Sequence, residues 1–158
     1  MPDAEQISMR RLQLADADAV LYLDRLAFSR PWSRDAYLEE LGENQLARYI
    51  GFFAGERLIA FAGYWLIVDE GHIVNVAVHP NYRRQGWGEL LMRRLITFCL
   101  AEGATRMTLE VRRHNQAACR LYHKLGFKTK GLRPGYYDEP PDDALIMWLE
   151  LPGPVEGE

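Results

Sequence analysis

The apolar run Val74-Asn-Val-Ala-Val78 leads through Arg83-Arg84-Gln85-Gly86-Trp87-Gly88 into an amphipathic segment, an order of elements that suits an anion. Gly86 and Gly88 let the backbone turn tightly and approach a ligand with no Cβ in the way. The amides from Gln85 to Glu89 fall where a helix begins, so they lack intrahelical acceptors and point toward negative charge. Arg83 and Arg84 add positive charge at the same place. Taken alone, a Gly-x-Gly here also describes a plain strand-to-helix turn. It lacks the Gly-Lys-Ser/Thr of a nucleotide-binding P-loop and the third glycine of a dinucleotide fingerprint.

Two residues have the right chemistry for moving protons. Glu110, in Thr108-Leu109-Glu110-Val111-Arg112, lies on the side of a strand opposite Leu109 and Val111. It is a candidate general base, or a surface carboxylate paired with Arg106 or Arg112. Tyr122 lies in the helical stripe Ala118, Leu121, Tyr122, Leu125, where it is either a general acid or a core aromatic. The histidines are rivals for such work, because an imidazole titrates near neutrality. His72 and His79 flank the Val74–Val78 strand, while His114 and His123 flank the Tyr122 helix. His123 points about 100° around the helix from Tyr122. Cys99 and Cys119 sit in helical patterns and read as buried free thiols, and no His/Cys/carboxylate spacing implies a metal.

Two aromatic segments look suited to recognition. Phe28-Ser-Arg-Pro31-Trp32-Ser33 interrupts two helices, and Arg133-Pro-Gly-Tyr136-Tyr137 precedes an acidic, proline-rich stretch. Aromatics beside carboxylates fit a peptide with a free, positively charged amino terminus. The same residues can equally plug the edges of a core.

The elements that must position these groups read as follows. Ile7–Leu12 is a strand, and a helix capped by Asp16 then buries Val20, Leu23, Leu26 and Ala27. Ser33 caps a second helix that runs through Leu41 and ends at Gly42. Ala47–Ala54 and Leu58–Val68 form a hairpin about Gly55-Glu56-Arg57, and Asp69-Glu70-Gly71 turns into the strand His72–Val78, which should be covered on both faces. The helix after Gly88 shows a Leu91, Leu95, Phe98 stripe and closes at Gly103. A strand with Met107, Leu109 and Val111 inward follows, then an Asn115-capped helix, Gln116 to Leu125, ended by Gly126. Phe127–Leu132, a loop and Ala144–Leu151 complete the order βααβββαβαββ, with residues 152–158 a disordered tail.

This is a mixed α/β (α+β) domain, a central sheet flanked by helices. The 158 residues suit one domain, with an ordered core over about residues 7–151. A net charge of −3 argues against direct nucleic-acid binding, which wants a broad basic face. No apolar run reaches the roughly 18 residues of a membrane span, and the polar Met1–Gln6 start is no signal peptide, so a cytoplasmic protein with no membrane partner is expected.

The block from His72 to Met92 resembles the acetyl-coenzyme A signature of the GNAT superfamily, whose Arg/Gln-x-x-Gly-x-Gly/Ala core is matched by Arg83, Gly86 and Gly88. The resemblance implies that the loop Arg83, Arg84, Gln85, Gly86, Trp87, Gly88, Glu89 holds the cofactor's pyrophosphate. It also implies that Val76, Ala77 and Val78 offer backbone groups to the pantetheine arm. Leu109-Glu-Val-Arg112, Asn115 and Leu121-Tyr-x-x-Leu-Gly-Phe127 are similar to the RimI-type ribosomal-protein-alanine N-acetyltransferases and their archaeal relatives. So are Phe28-x-x-Pro-Trp-Ser33 and Arg133-x-x-Tyr-Tyr137 with Asp143-Ala-Leu-x-Met147.

That resemblance implies direct acetyl transfer from acetyl-CoA to a protein N-terminal amine, such as the N-terminal alanine of a small-subunit ribosomal protein, without a metal. Glu110 would be the base, through water, and Tyr122 the acid on the coenzyme A sulfur, with Asn115 and Tyr122 touching the cofactor. Phe28, Pro31, Trp32, Arg133, Tyr136 and Tyr137 would flank the acceptor. The alternatives are a small-molecule amine or lysine side chain as acceptor, or a coenzyme A-binding regulatory module without catalysis. Retention of Glu110 and Tyr122 argues against the last.

Overall fold

A computed structural model describes residues 6–152, so the tail expected beyond Pro152 lies outside the described residues. Seven strands and four helices alternate as β1 Ile7–Arg11, α1 Ala17–Ala27, α2 Arg34–Leu38, β2 Ala47–Ala54, β3 Arg57–Ile67, β4 Glu70–Val78, α3 Trp87–Ala101, β5 Arg106–Arg112, α4 Gln116–Lys124, β6 Lys128–Asp138 and β7 Pro141–Glu150. This is the order expected from the sequence. The sheet runs β1-β2-β3-β4-β5-β7-β6. It is mixed: β4 and β5 are parallel, which requires the α3 crossover, whereas β5–β7 and β6–β7 are antiparallel. Among the described residues no helix is long and apolar enough to cross a membrane.

The contacts divide the chain into two compact units. The first holds the chain up to Trp65 and Val74–Leu95; the second holds Leu66–Ile73 and everything from Ile96. In the first, Val20 and Leu23 of α1 and the fully buried Tyr37 of α2 pack with Tyr49, Phe53 and Phe61 of β2 and β3. Ser33 caps α2 as expected, its hydroxyl accepting the Ala36 N–H at 3.1 Å. In the second, Met107, Leu109, Val111, Phe127 and Met147 are buried, and a Cβ on Gly71 would stand 2.4 Å from Cys99 Sγ. Only glycine allows β4 that close to α3.

Several boundaries differ from the sequence reading, each for a local reason. Asp16 does not cap α1 with its side chain; the residue is itself part of a short turn, Leu14–Asp16, and its carboxylate accepts the Gln13 N–H and both Arg10 nitrogens. Leu26 is exposed, and Leu21 and Asp24 take the inner face of α1 instead. α2 passes into a wider turn, Glu39–Glu43, so Gly42 does not end it. The turn before β4 is Val68-Asp69, with Val68 at φ 58°, and β4 already begins at Glu70. β4 is half-exposed along most of its length rather than covered on both faces. Its ladder to β5 is short, from Glu70↔Arg106 to His72↔Thr108. On α3 the inner stripe is Leu91, Met92, Leu95 and Cys99 rather than Phe98. Thr108 is buried because its hydroxyl donates to the Met147 carbonyl at 2.8 Å. Cys119 is half-buried, unlike Cys99. The stretch after Leu132 is no loop: β6 and β7 continue to a tight turn at Glu139-Pro140.

Candidate active site

The first unit carries the anion cradle. Arg84 and Gly86 have φ of 62° and 85°, so the chain enters the left-handed region twice within three residues. That winding turns successive N–H groups toward one concavity, an arrangement that binds anions. A non-glycine residue there costs roughly 1–2 kcal/mol, which Gly86 avoids and Arg84 bears. The Leu90 N–H donates to the Gly86 carbonyl at 3.1 Å, so the amides of Trp87 and Gly88 come ahead of that bond. A Cβ on Gly88 would meet only Val78 Cγ2, at 3.7 Å, and one on Gly86 would meet nothing within 4 Å. The fold therefore has room for side chains at both positions. An open loop of this kind, with two arginines next to it in sequence, has the chemistry to hold a pyrophosphate.

Several predicted cofactor residues have side chains engaged in holding this loop. The Arg83 Nε donates to the Val78 carbonyl at 3.3 Å, and Gln85 Nε2 donates to the Asn81 carbonyl at 3.1 Å. The Trp87 ring meets Phe52 edge-on at 5.8 Å, and Glu89 pairs with Arg93 one turn on at 3.1 Å. That leaves the backbone, rather than the side chains, of Gln85, Trp87 and Glu89 as what these residues could offer a ligand. Val76 and Val78 are half-exposed and lie past the last β4–β5 rung, while Ala77 is buried.

The Phe28–Ser33 break belongs partly to the core of this unit. Asp24, buried inside the apolar stripe of α1, accepts the Trp32 N–H at 3.0 Å and the Tyr37 hydroxyl on one carboxylate oxygen. Burial, and then Asp24, push the Tyr37 phenol well above its ordinary range. The Trp32 ring stacks on Tyr37 at 5.2 Å, so Trp32 is an edge of the core, whereas Phe28 and Pro31 lie at the surface. A second buried carboxylate, Glu40, accepts from the Tyr49 hydroxyl (2.7 Å), the Trp65 indole (3.0 Å) and Asn44 (2.8 Å), and Asn75 of β4 donates to Tyr49. The sequence reading missed this network. Its signal was a carboxylate placed within an apolar helical stripe, at Asp24.

The second unit carries the proton-transfer candidates. Glu110 stands on β5 opposite Ile146 of β7, and its side chain is 38% exposed. Its partners are neither Arg106, which pairs with Glu70, nor Arg112, which donates to the Pro140 and Glu139 carbonyls at 2.7 and 3.3 Å. Instead the Glu110 carboxylate holds the Tyr136 phenol above its ordinary value, and the Arg133 guanidinium lies 3.9 Å from Glu110. The Tyr136 and Tyr137 rings meet at 88° and 5.0 Å, and Arg112 lies 4.2 Å over the Tyr137 ring. Glu110, Arg133, Tyr136 and Tyr137 therefore form one cluster.

Tyr122, on α4, packs edge-on against the buried Phe127 at 5.9 Å. Burial foremost, with Cys119 and Tyr137 adding to it, pushes its phenol up to about 12. Among the described residues nothing hydrogen-bonds that hydroxyl, so it is a neutral, available proton donor. Asn115 caps α4, its Oδ1 accepting the Ala118 N–H at 3.2 Å, and keeps its amide hydrogens for other partners. The histidines have structural partners: His72 with Glu70, His79 with the Asn81 N–H, His114 with Asp142 and His123 with Thr129.

Residues 17–127 match the acetyltransferase (GNAT) family. A Bacillus subtilis (strain 168) protein is 37% identical over 144 residues, spanning 91% of this chain and 95% of its own. The [ribosomal protein bS18]-alanine N-acetyltransferase of Escherichia coli (strain K12) is 35% identical over 144 residues, spanning 89% and 95%. The crystal structure of the ribosomal-protein-S18-alanine N-acetyltransferase from Escherichia coli superposes with a TM-score of 0.88 at 31% identity, covering 97% of this chain and 99% of that one. A Thermoplasma acidophilum N-acetyltransferase in complex with coenzyme A shares the fold, with a TM-score of 0.77 at 20% identity over 92% of this chain and 99% of that one. The chain belongs to the acetyltransferase (GNAT) family. It is an N-acetyltransferase that uses acetyl-CoA.

Proposed function

We propose that the chain works as one catalytic domain that acetylates the N-terminal alanine of ribosomal protein S18, with Glu110 as base and Tyr122 as acid. The observation that carries the acceptor is similarity along nearly the whole length, at 35% identity, to an enzyme named for that substrate. Acetyl-CoA supplies the acetyl group as an activated thioester. The cradle from Arg83 to Gly88 holds the pyrophosphate through backbone amides and arginine charge, and β4 offers Val76 and Val78 to the arm. Glu110 receives the proton that the acceptor's ammonium must lose before its nitrogen can attack. Tyr136 and Arg133 orient that carboxylate, and both lie where an incoming chain terminus would meet it. Tyr122 donates its phenolic proton toward the departing sulfur.

The test is coenzyme A release with three acceptors: an Ala-starting peptide copied from S18, the same peptide N-α-acetylated but carrying an internal lysine, and a polyamine. Turnover of the first alone is expected. Turnover of the polyamine alone would overturn the acceptor assignment. In parallel, Glu110→Gln should depress kcat/KM most at low pH, where the amine most needs a base. A pH profile unchanged in that variant removes Glu110 from the role.

A further inference from the structure

We infer that Asp143 is a positioning residue, one that aims Tyr136 and Arg133 at Glu110 by building the bulge in β6. The inference rests on the reading of Glu110 as base for its catalytic meaning, but the geometry stands by itself. Arg133 pairs with Ala144 and Tyr137 with Asp142, so Asp143 alone opposes Pro134, Gly135 and Tyr136. β6 must absorb two extra residues against a single partner. Pro134 has no N–H for a ladder, and Gly135 turns through φ 64°, so regular pairing cannot hold this stretch.

The side chain of Asp143 replaces the missing rung. Its Oδ1 accepts the Gly135 N–H at 2.9 Å. Asp143 is itself fixed on the other side: its N–H donates to Asp142 Oδ1 at 2.8 Å, its carbonyl accepts the Arg113 N–H at 2.9 Å, and its Oδ2 faces Arg113 Nη1 at 3.4 Å. The bulge it anchors follows Arg133, whose guanidinium lies 3.9 Å from Glu110, and carries the half-exposed Tyr136 to the same carboxylate, which raises its phenol. Without that acceptor the Gly135 N–H turns to water, the bulge loses its tie to β7, and the Tyr136 hydroxyl loses its fixed place.

The experiment reads Tyr136 directly, by NMR titration of ring-labelled tyrosine, beside steady-state kinetics with the Ala-starting peptide. In the wild type the neighbouring Glu110 carboxylate holds Tyr136 above its ordinary value. Asp143→Ala should return it toward about 10, the unperturbed tyrosine value. Asp143→Asn, whose amide oxygen still accepts from Gly135, should keep it raised. Asp143→Ala should also lower kcat/KM for peptide by about 10–100-fold, in the range of a misplaced catalytic group. Acetyl-CoA affinity should hold within about twofold, because Asp143 bonds to Gly135, Asp142 and Arg113 and to none of the residues assigned to the cofactor.

The double variant Asp143→Ala/Tyr136→Phe should be no worse than the weaker single one, since both break the same contact. Losses that multiply, or a Tyr136 titration unmoved by Asp143→Ala, overturn the proposal. Should Asp143→Ala fail to fold, Gly135→Ala strains the same bulge from β6, where a Cβ has nothing within 4 Å, and must move the Tyr136 titration likewise. A Glu110→Gln protein with full activity, alongside a shifted Tyr136 in Asp143→Ala, would instead sink the base assignment and leave the positioning role standing.

Discussion

Tyr122 is proposed to give up a proton near neutral pH while its phenol stands at about 12. The two facts are compatible. Burial raises tyrosine and thiol alike, because each becomes an anion on losing its proton, so a departing sulfur in the same dry surroundings becomes a stronger base too. Tyr122 stays protonated across the working range and responds only when charge develops beside it. Tyr122→Phe should therefore lower kcat by about 100-fold, a usual contribution of a positioned acid, with cofactor affinity nearly unchanged by calorimetry. The wild-type kcat profile should show no alkaline limb from this group below about pH 10, two units under its titration. A clear fall before that point would assign the acid to another residue.

Asp24 poses a different question, because one of its carboxylate oxygens is buried without a partner while the other serves Tyr37 and Trp32. Asp24→Ala strands the buried Tyr37 hydroxyl and the part-buried Trp32 N–H, and should cost about 2–4 kcal/mol of unfolding free energy in a denaturant titration. A cost below 1 kcal/mol would show that Tyr37 and Trp32 find water instead. The place of Asp24 within the apolar stripe of α1 is a signal in the sequence, but nothing local says which two residues from a later segment will come to satisfy it. Strand alternation and helical spacing, by contrast, fix the faces of Glu110 and Tyr122 locally, and the roles proposed for them come from the resemblance.

The β6–β7 hairpin shows the same limit among elements. Pro134, Gly135 and the acidic stretch after Tyr137 carry every local mark of a loop. The chain remains a strand there because long-range groups replace the missing rungs. Arg112 holds the two turn carbonyls, Asp143 holds Gly135, and Asp142 is tied to the segment before α4. Asp142 accepts from the His114 ring at 2.7 Å and the His114 N–H at 3.1 Å. Burial pushes the Asp142 carboxyl up, but the His114 ring, the His114 and Asp143 N–H groups and the imidazolium charge outweigh it, so the net shift is downward. A carboxyl lowered in the folded state contributes stability that is fully present above its unfolded value, about 3.9, and is lost as pH falls through the folded value. Thermal unfolding followed below pH 5 should show an acid-side fall in Tm that is shallower in Asp142→Asn. Equal slopes would mean that the aspartate titrates alike in both states, and that the His114 tie contributes nothing.

Over the whole molecule, the element order was legible because each strand and helix announces itself through period, cap or glycine. What stayed hidden was the division of the chain into two compact units, since β4 and α3 each give residues to both. The proposed work divides along the same line, with the anion cradle in one unit and Glu110 with Tyr122 in the other. Coenzyme A binding then reads the cradle without requiring turnover. A ligand that binds only the folded protein adds about 2.7 kcal/mol at 100 times its Kd, which for a chain of this size raises Tm by roughly 5–10 °C. Gly88→Ala should keep its ligand-free Tm, because the new Cβ meets only an ordinary contact at 3.7 Å, yet lose most of that rise at the same coenzyme A concentration. Gly86→Ala should behave in the opposite order. Its φ of 85° makes any side chain strained, so it should lose about 1–2 kcal/mol before any ligand is added. If Gly88→Ala shows the full coenzyme A-dependent rise, the pyrophosphate does not lie against these amides, and the space that Gly88 leaves open has another use.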